Sequence, residues 1–219
     1  IKILNMLKKN NNNIIYDFID TNINKCYFSN TINYYDTIIF MDIITLNRII
    51  KKLPVIKNKS VIIEHHYDIE IDKFILNNSK IQNPKIYYFG NIGKTLLGNY
   101  FDSLNIINKS CWNQKYLDTS IAHICLRSNR EPISHLKVGN CVAIGSVPII
   151  NSGIYDELFD NKYPYILREI SINELKKILD KVKKDYFQQN NDWKLAQNYV
   201  KKIKIQLSIS NLIKKYLLL

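Results

Sequence analysis

No hydrophobic run in this 219-residue sequence approaches the length of a bilayer span; stretches such as Thr37–Met41 and Val147–Ile150 are among the longest. The four cysteines, Cys26, Cys111, Cys125 and Cys141, form no Cys-x-x-Cys pair and have no histidine pairing of zinc type nearby. A cysteine-ligated metal site and a redox dithiol motif are therefore not expected. Cys125 and Cys141 sit inside apolar stretches and read as small core residues. Four cysteines with no disulfide or zinc pattern read as reduced thiols, which makes a cytoplasmic setting the expectation. No internal repeat is present.

Acidic residues are scarce, 19 against 31 basic ones, which leaves a net charge of +12. The imbalance is steepest from Ser171 onward, with eleven lysines and four acids. Such an excess suits phosphorylated ligands, an anionic membrane surface or nucleic acid. The lysines are spread rather than blocked and accompany no basic–aromatic motif, so no specific nucleic acid is expected. Plain solvation by lysine is the alternative. The pairs at Lys201–Lys204 and Lys214–Lys215, interleaved with Ile203, Ile205, Leu207, Ile213 and Leu217–Leu219, fit peripheral membrane contact through a basic C-terminal helix. Packing of that helix across the rest of the chain is the competing expectation.

What is present alternates strand and helix. Ile14–Phe18, Thr37–Met41 and Ser60–Ile63 read as short strands, and Ile43–Leu53 has helical spacing and stops at Pro54. This is the grammar of a parallel sheet. The pattern restarts with strands at Lys85–Phe89, Asn105–Ile107, Ile121–Leu126, Val147–Ile150 and Tyr163–Leu167. Helices are expected from about Lys94, at Asn113–Asp118 and at Ser134–Ile144. Ser171-Ile172-Asn173-Glu174 is a capping box that opens another, and a last helix starts near Asp192. The expected fold class is α/β, with two Rossmann-like halves of parallel sheet. An N-terminal half spans 1–80 and is short, a C-terminal half spans 81–190, and a C-terminal helix occupies 191–219.

Glycine is confined to one window. All six, Gly90, Gly93, Gly98, Gly139, Gly145 and Gly153, lie there, while turns elsewhere are made with Asn. Glycine is needed where backbone turns with positive φ or approaches a ligand. The window therefore marks the strand-to-helix turns of the second half as the ligand site. Phe89-Gly90-Asn91-Ile92-Gly93-Lys94-Thr95 ends like a P-loop, but Tyr88 stands where the first glycine of that motif belongs, so a P-loop-like nucleotide site is the weaker reading. In the stretch 121–150 a strand delivers Arg127 and a helix opens near Ser134. Lys137 and Asn140 follow three residues apart, both expected on its open face. Helix amides, a cation and a neutral hydrogen-bonding group can hold a diphosphate and a ribose.

Lys137-Val138-Gly139-Asn140-Cys141-Val142-Ala143-Ile144-Gly145-Ser146-Val147-Pro148-Ile149-Ile150 resembles the donor-site motif of GT-B fold glycosyltransferases, Lys-Leu-x-Asn-Ala-x-Ala-x-Gly-x-Pro-Val-Ile. Lys137, Asn140 and Gly145 match its Lys, Asn and Gly, and Pro148 stands one residue after the place of its Pro. The preceding Lys-Pro of the motif is displaced here to Glu131-Pro132. Tyr16-Asp17-Phe18-Ile19-Asp20, Ile63-Glu64-His65-His66 and Tyr155-Asp156-Glu157 are similar to further family segments. The glutamate pair that retaining members carry near this helix is absent, its positions being Ile133 and Asn140.

The resemblance implies sugar transfer from a nucleotide-sugar donor to a glycan or other hydroxyl acceptor, with no cofactor. No Asp-x-Asp triplet is present, so a metal-free reaction is implied, with Lys137, Arg127 and the amides near Ser134 neutralising the diphosphate. Gly90 and Asn91 would admit the donor, Asn140 would orient it, and Glu157 would accept from sugar hydroxyls. His65, His66 and Asp17 are the candidate catalytic groups. A catalytically inactive module that binds nucleotide or glycan is the alternative that the missing glutamates motivate.

Overall fold

The structure is a computed structural model that describes residues 2–10, 13–18, 31–40, 43–63, 67, 71, 81, 83–111, 113–127, 135–208 and 210–211. The chain forms two compact units, Ile1–His65 with Arg130–Ser134, and His66–Asn129 with His135–Leu219. Each is an α/β unit on a parallel sheet, the architecture that alternating strands and helices predict. Most of residues 68–84, whose mixed and polar sequence reads as a linker, lies outside the described residues.

The first unit runs α1 (Lys2–Lys9), β1 (Ile15–Phe18), β2 (Thr37–Phe40), α2 (Ile43–Lys52) and β3 (Ser60–Ile62). Its strands pair in parallel in the order β1-β2-β3. Ile38 and Phe40 point to one face of the sheet and are fully buried with Ile49 and Ile56. Residues two apart on a strand share a face, so β2 supplies both core anchors. Pro54 ends α2 because it cannot donate to a continuing helix.

Asp36 ties this unit together. Its carboxylate accepts from the Ile14 amide at 2.8 Å and from the Lys8 ammonium at 2.5 Å, joining α1 to the start of β1 and to the turn before β2. The Ile14 amide and then Lys8 hold its pKa below the ordinary 3.8. A depressed carboxyl contributes stability that is complete above its unfolded pKa and is lost as pH falls through the folded one. Asp36→Asn is therefore expected to be less stable than the parent at neutral pH. The gap should close at acid pH beneath both values, as read by denaturation followed with circular dichroism.

The second unit contains β4 (Lys85–Phe89), β5 (Ile107–Lys109), α3 (Gln114–Leu117), β6 (Ser120–Ile124), α4 (Leu136–Ala143), β7 (Val147–Asn151), β8 (Ile166–Leu167), α5 (Ile172–Gln188) and α6 (Asn191–Gln206). The sheet order is β5-β4-β6-β7-β8, and every pair is parallel. β6 and β7 are buried along their whole length, which explains why their sequences are apolar apart from Ser120, His123 and Asn151. The one ionisable group there, His123, is held neutral: burial pushes its pKa down to about 3, and its ring is 2.8 Å from the Ser120 hydroxyl.

Ser171 caps α5 by accepting from the Glu174 amide, as the capping box requires. The reciprocal half differs, because the Glu174 carboxylate accepts from the Arg168 and Glu169 amides. α6 buries Trp193, Ala196, Val200 and Ile203 and packs on α4, α5 and β7, all in the second unit. It also closes the end of α4. Lys204 donates to the Ala143 carbonyl at 2.6 Å, a cation at the negative end of that helix.

Two expectations are corrected. The segment from Lys94 is no α-helix: it forms 3-10 turns at Ile92–Lys94 and Gly98–Tyr100, with Leu97 at φ 58° between them. The turns fold back so closely that a Cβ on Gly98 would lie 2.2 Å from the Ile92 carbonyl oxygen. A P-loop needs an α-helix at this point, so that reading falls away. The strand expected at Asn105–Ile107 is displaced to Ile107–Lys109, because Asn105 takes a left-handed turn at φ 55° first.

Candidate functional site

Because every strand of the second unit runs the same way, all their C-terminal ends meet at one edge of the sheet. β4 connects outward to β5, and β6 lies on the other side of β4, so the direction of winding reverses between β4 and β6. Open α/β sheets bind ligands outside the carboxyl edge at such a reversal. Gly90 follows β4 and Arg127 follows β6. Tyr155 and Glu157 follow β7, and Lys137 lies in the first turn of α4.

Lys137 is turned toward the Gly90 turn. Its ammonium donates to the Tyr88 hydroxyl at 2.6 Å and lies 4.0 Å from the centre of the Tyr88 ring. Gly90 has φ 137°, and a Cβ there would lie 3.1 Å from the Lys137 nitrogen and 3.4 Å from the Tyr88 hydroxyl. The missing side chain is what lets the cation sit against this turn. Tyr88 in turn donates to the Asn91 carbonyl at 3.0 Å. The Asn91 side chain accepts from the Gly93 amide at 2.9 Å, so it shapes the turn locally.

Arg127 is placed by its backbone. Its amide donates to Asn151 Oδ1 at 2.9 Å, and its carbonyl accepts from Asn151 Nδ2 at 3.1 Å. This two-way clamp extends the β6–β7 pairing past the last strand residue. The Tyr155 hydroxyl is buried among these groups. Burial raises its pKa, the nearby Cys125 and Tyr88 add to the rise, and the Arg127 guanidinium opposes it. Lys137, Tyr88, Tyr155 and Arg127 therefore form one electrostatically connected set.

His135 occupies the N-cap position of α4 and is fully buried. Its Nε2 lies 2.5 Å from the Glu157 carboxylate, which is itself 38% exposed. Glu157 thus faces the helix start from the loop after β7. Asn140 is buried, although it was expected on the open face with Lys137. Three residues advance a helix by about 300°, so the two side chains diverge by about 60°, enough to turn Asn140 inward.

The structure brings Gly90, Asn91, Arg127, Lys137 and Glu157 to the edge that the sequence pointed to. Asp17 lies in β1 of the first unit, with its side chain outside what is described. His65, His66 and Ser134 lie outside the described residues. Sequence reasoning assigned no role to Tyr88 or His135. Tyr88 lies two residues before the glycine turn, in a strand whose inward residues cannot be told from outward ones by composition. His135 stood beside the expected helix start, but its side chain makes no cap hydrogen bond, so no local signal marks it.

No protein-family model and no curated protein sequence matches the chain. Solved structures do. A glycosyltransferase from Rickettsia africae ESF-5 superimposes with a TM-score of 0.61 at 11% identity, over 99% of this chain and 78% of its own. Sucrose-phosphate synthase from Thermosynechococcus elongatus gives 0.57 at 9% identity, over 84% of this chain and 57% of its own. The chain shares the Rossmann-like, GT-B type of fold with these glycosyltransferases.

Proposed function

We propose that the chain is a glycosyltransferase that moves a sugar from a nucleotide-sugar donor to a glycan or other hydroxyl acceptor. The observation that carries this reading is the Lys137 ammonium held over the Gly90 turn, at the carboxyl edge where the sheet reverses its winding. Transfer breaks the bond between the anomeric carbon and a phosphate oxygen, and negative charge grows on the departing diphosphate. A cation fixed in advance at that place stabilises the transition state more than the ground state. Lys137 is the proposed group for this, with Arg127 and the first amides of α4 beside it. No metal is invoked, since side-chain charge replaces it. Glu157, on the loop after β7 and facing the start of α4, is proposed to accept from the sugar hydroxyls, whereas Asn140, turned inward, is assigned no donor contact. His65, His66 and Asp17 are proposed for the acceptor side, where one group must take the proton of the attacking hydroxyl.

Calorimetry with a panel of UDP-, GDP- and CMP-sugars tests the reading, and failure of every donor to bind at millimolar concentration would remove it. A donor that binds but is neither transferred nor hydrolysed would instead favour the inactive module. Gly90→Ala gives a local check. Its positive φ makes any side chain cost about 1–2 kcal/mol of stability, and the added methyl displaces Lys137. Thermal denaturation should show the modest loss, and calorimetry a larger loss of donor affinity.

A further inference from the structure

We infer that the outer face of α6 is a docking surface for an anionic phospholipid bilayer, held by charge rather than by insertion. The inference rests on α6 alone and does not depend on the donor-site reading. The residues exposed along this helix are Asn191, Lys194, Asn198, Lys201, Lys202 and Ile205. They recur at helical spacing and form one stripe opposite the buried Trp193, Ala196, Val200 and Ile203. The only acid in α6, Asp192, is engaged by Lys181. Asp160, from the loop after β7, feels Lys202 but is itself occupied by the Tyr199 hydroxyl and the Lys162 amide.

The structure also changes how the apolar residues of this segment are read. Ile203 and Leu207 are fully buried in the protein and cannot enter lipid, whereas Ile205 is 64% exposed, within one turn of Lys201 and Lys202. Among the described residues no helix is long and apolar enough to cross a membrane. A lysine stripe with one apolar contact beside it fits adsorption to a negatively charged interface. Nucleic acid is the poorer match, because the stripe offers neither arginine nor an aromatic ring for stacking.

Sedimentation of the full chain with vesicles decides the matter. Partition is expected onto mixed phosphatidylcholine–phosphatidylglycerol vesicles at low salt and should weaken as salt screens the lysines. None is expected on phosphatidylcholine alone. Each lysine near such a surface contributes about fivefold, so the combined Lys194→Gln, Lys201→Gln and Lys202→Gln variant should bind roughly a hundredfold more weakly. Its circular dichroism should match the parent, since none of the three side chains is buried. No partition of the parent, or unchanged partition of the triple variant, would overturn the inference. So would loss of binding on deletion of 212–219 alone with the triple variant still bound, or displacement of the vesicles by an RNA homopolymer.

Discussion

Lys137→Ala is expected to weaken binding of a nucleotide-sugar by about 1.5–3 kcal/mol, the worth of a hydrogen bond to a charged group, or roughly 10- to 150-fold in affinity. Folding stability should change much less. Lys137 is only partly buried, and its bond to Tyr88 joins it to a hydroxyl that donates onward to Asn91. The two readouts separate a ligand-binding cation from a structural one. Calorimetry with the tightest donor of the panel gives the first, and urea denaturation the second. Lys137→Arg sharpens the comparison, because the longer, planar guanidinium keeps the charge but does not fit the close approach over Gly90. It should bind better than alanine and worse than the parent. A Lys137→Ala protein that loses stability yet binds donor as before would eliminate the site.

Much of this arrangement is legible in the sequence, for reasons that differ from place to place. β6 and β7 are recognisable because a parallel strand covered on both faces must be apolar throughout, and Ile121–Ile124 and Val147–Ile150 are nearly so. Ser171 announces its helix and accepts the Glu174 amide as the capping box predicts, and Asn113, at the start of another expected helix, accepts the Lys115 amide. The segment after Lys94 is opaque because its course depends on Leu97 adopting positive φ, which leucine does not declare locally; Asn105, at φ 55°, is a residue type that tolerates such a turn.

The site divides in the same manner. Glycines at turns and a lysine one turn into a helix are sequence-local features, so Gly90 and Lys137 could be paired in advance. Tyr88 acquires its importance only when α4 is laid across the end of β4, and Asn140 becomes buried only through the rotation of α4 about its own axis. His135 shows its carboxylate partner only once the loop after β7 has folded back onto the helix start. Contacts between distant segments are set by packing, and no short window of sequence contains them.

Asp185→Ala is expected to be the most destabilising polar substitution in the second unit, at about 2–4 kcal/mol. Asp185 is buried in the last turn of α5, and its carboxylate accepts from three groups: Lys181 at 2.6 Å, Asn190 at 2.7 Å and the Tyr165 hydroxyl at 3.2 Å. Lys181 is partly exposed and also reaches Asp192, so losing Asp185 leaves it a partner. Tyr165 has no such recourse. It is fully buried, and burial followed by the Asp185 charge pushes its pKa up, so at neutral pH its hydroxyl remains a donor. In Asp185→Ala that donor is stranded in the core.

Asn190 carries the damage further, since the same side chain caps α6 by accepting from the Trp193 amide at 3.0 Å. Trp193 lies 5.1 Å from the Tyr186 ring and 6.5 Å from that of Tyr165, so its fluorescence should report the transition. A double-mutant cycle with Tyr165→Phe separates the contributions. Tyr165→Phe alone removes one hydrogen bond to a charged carboxylate and should cost about 1.5–3 kcal/mol. In the Asp185→Ala background it also removes the stranded hydroxyl and should restore part of the loss. Strict additivity of the two substitutions, or a urea midpoint for Asp185→Ala equal to that of the parent, would show that the carboxylate does not organise the junction of α5 and α6.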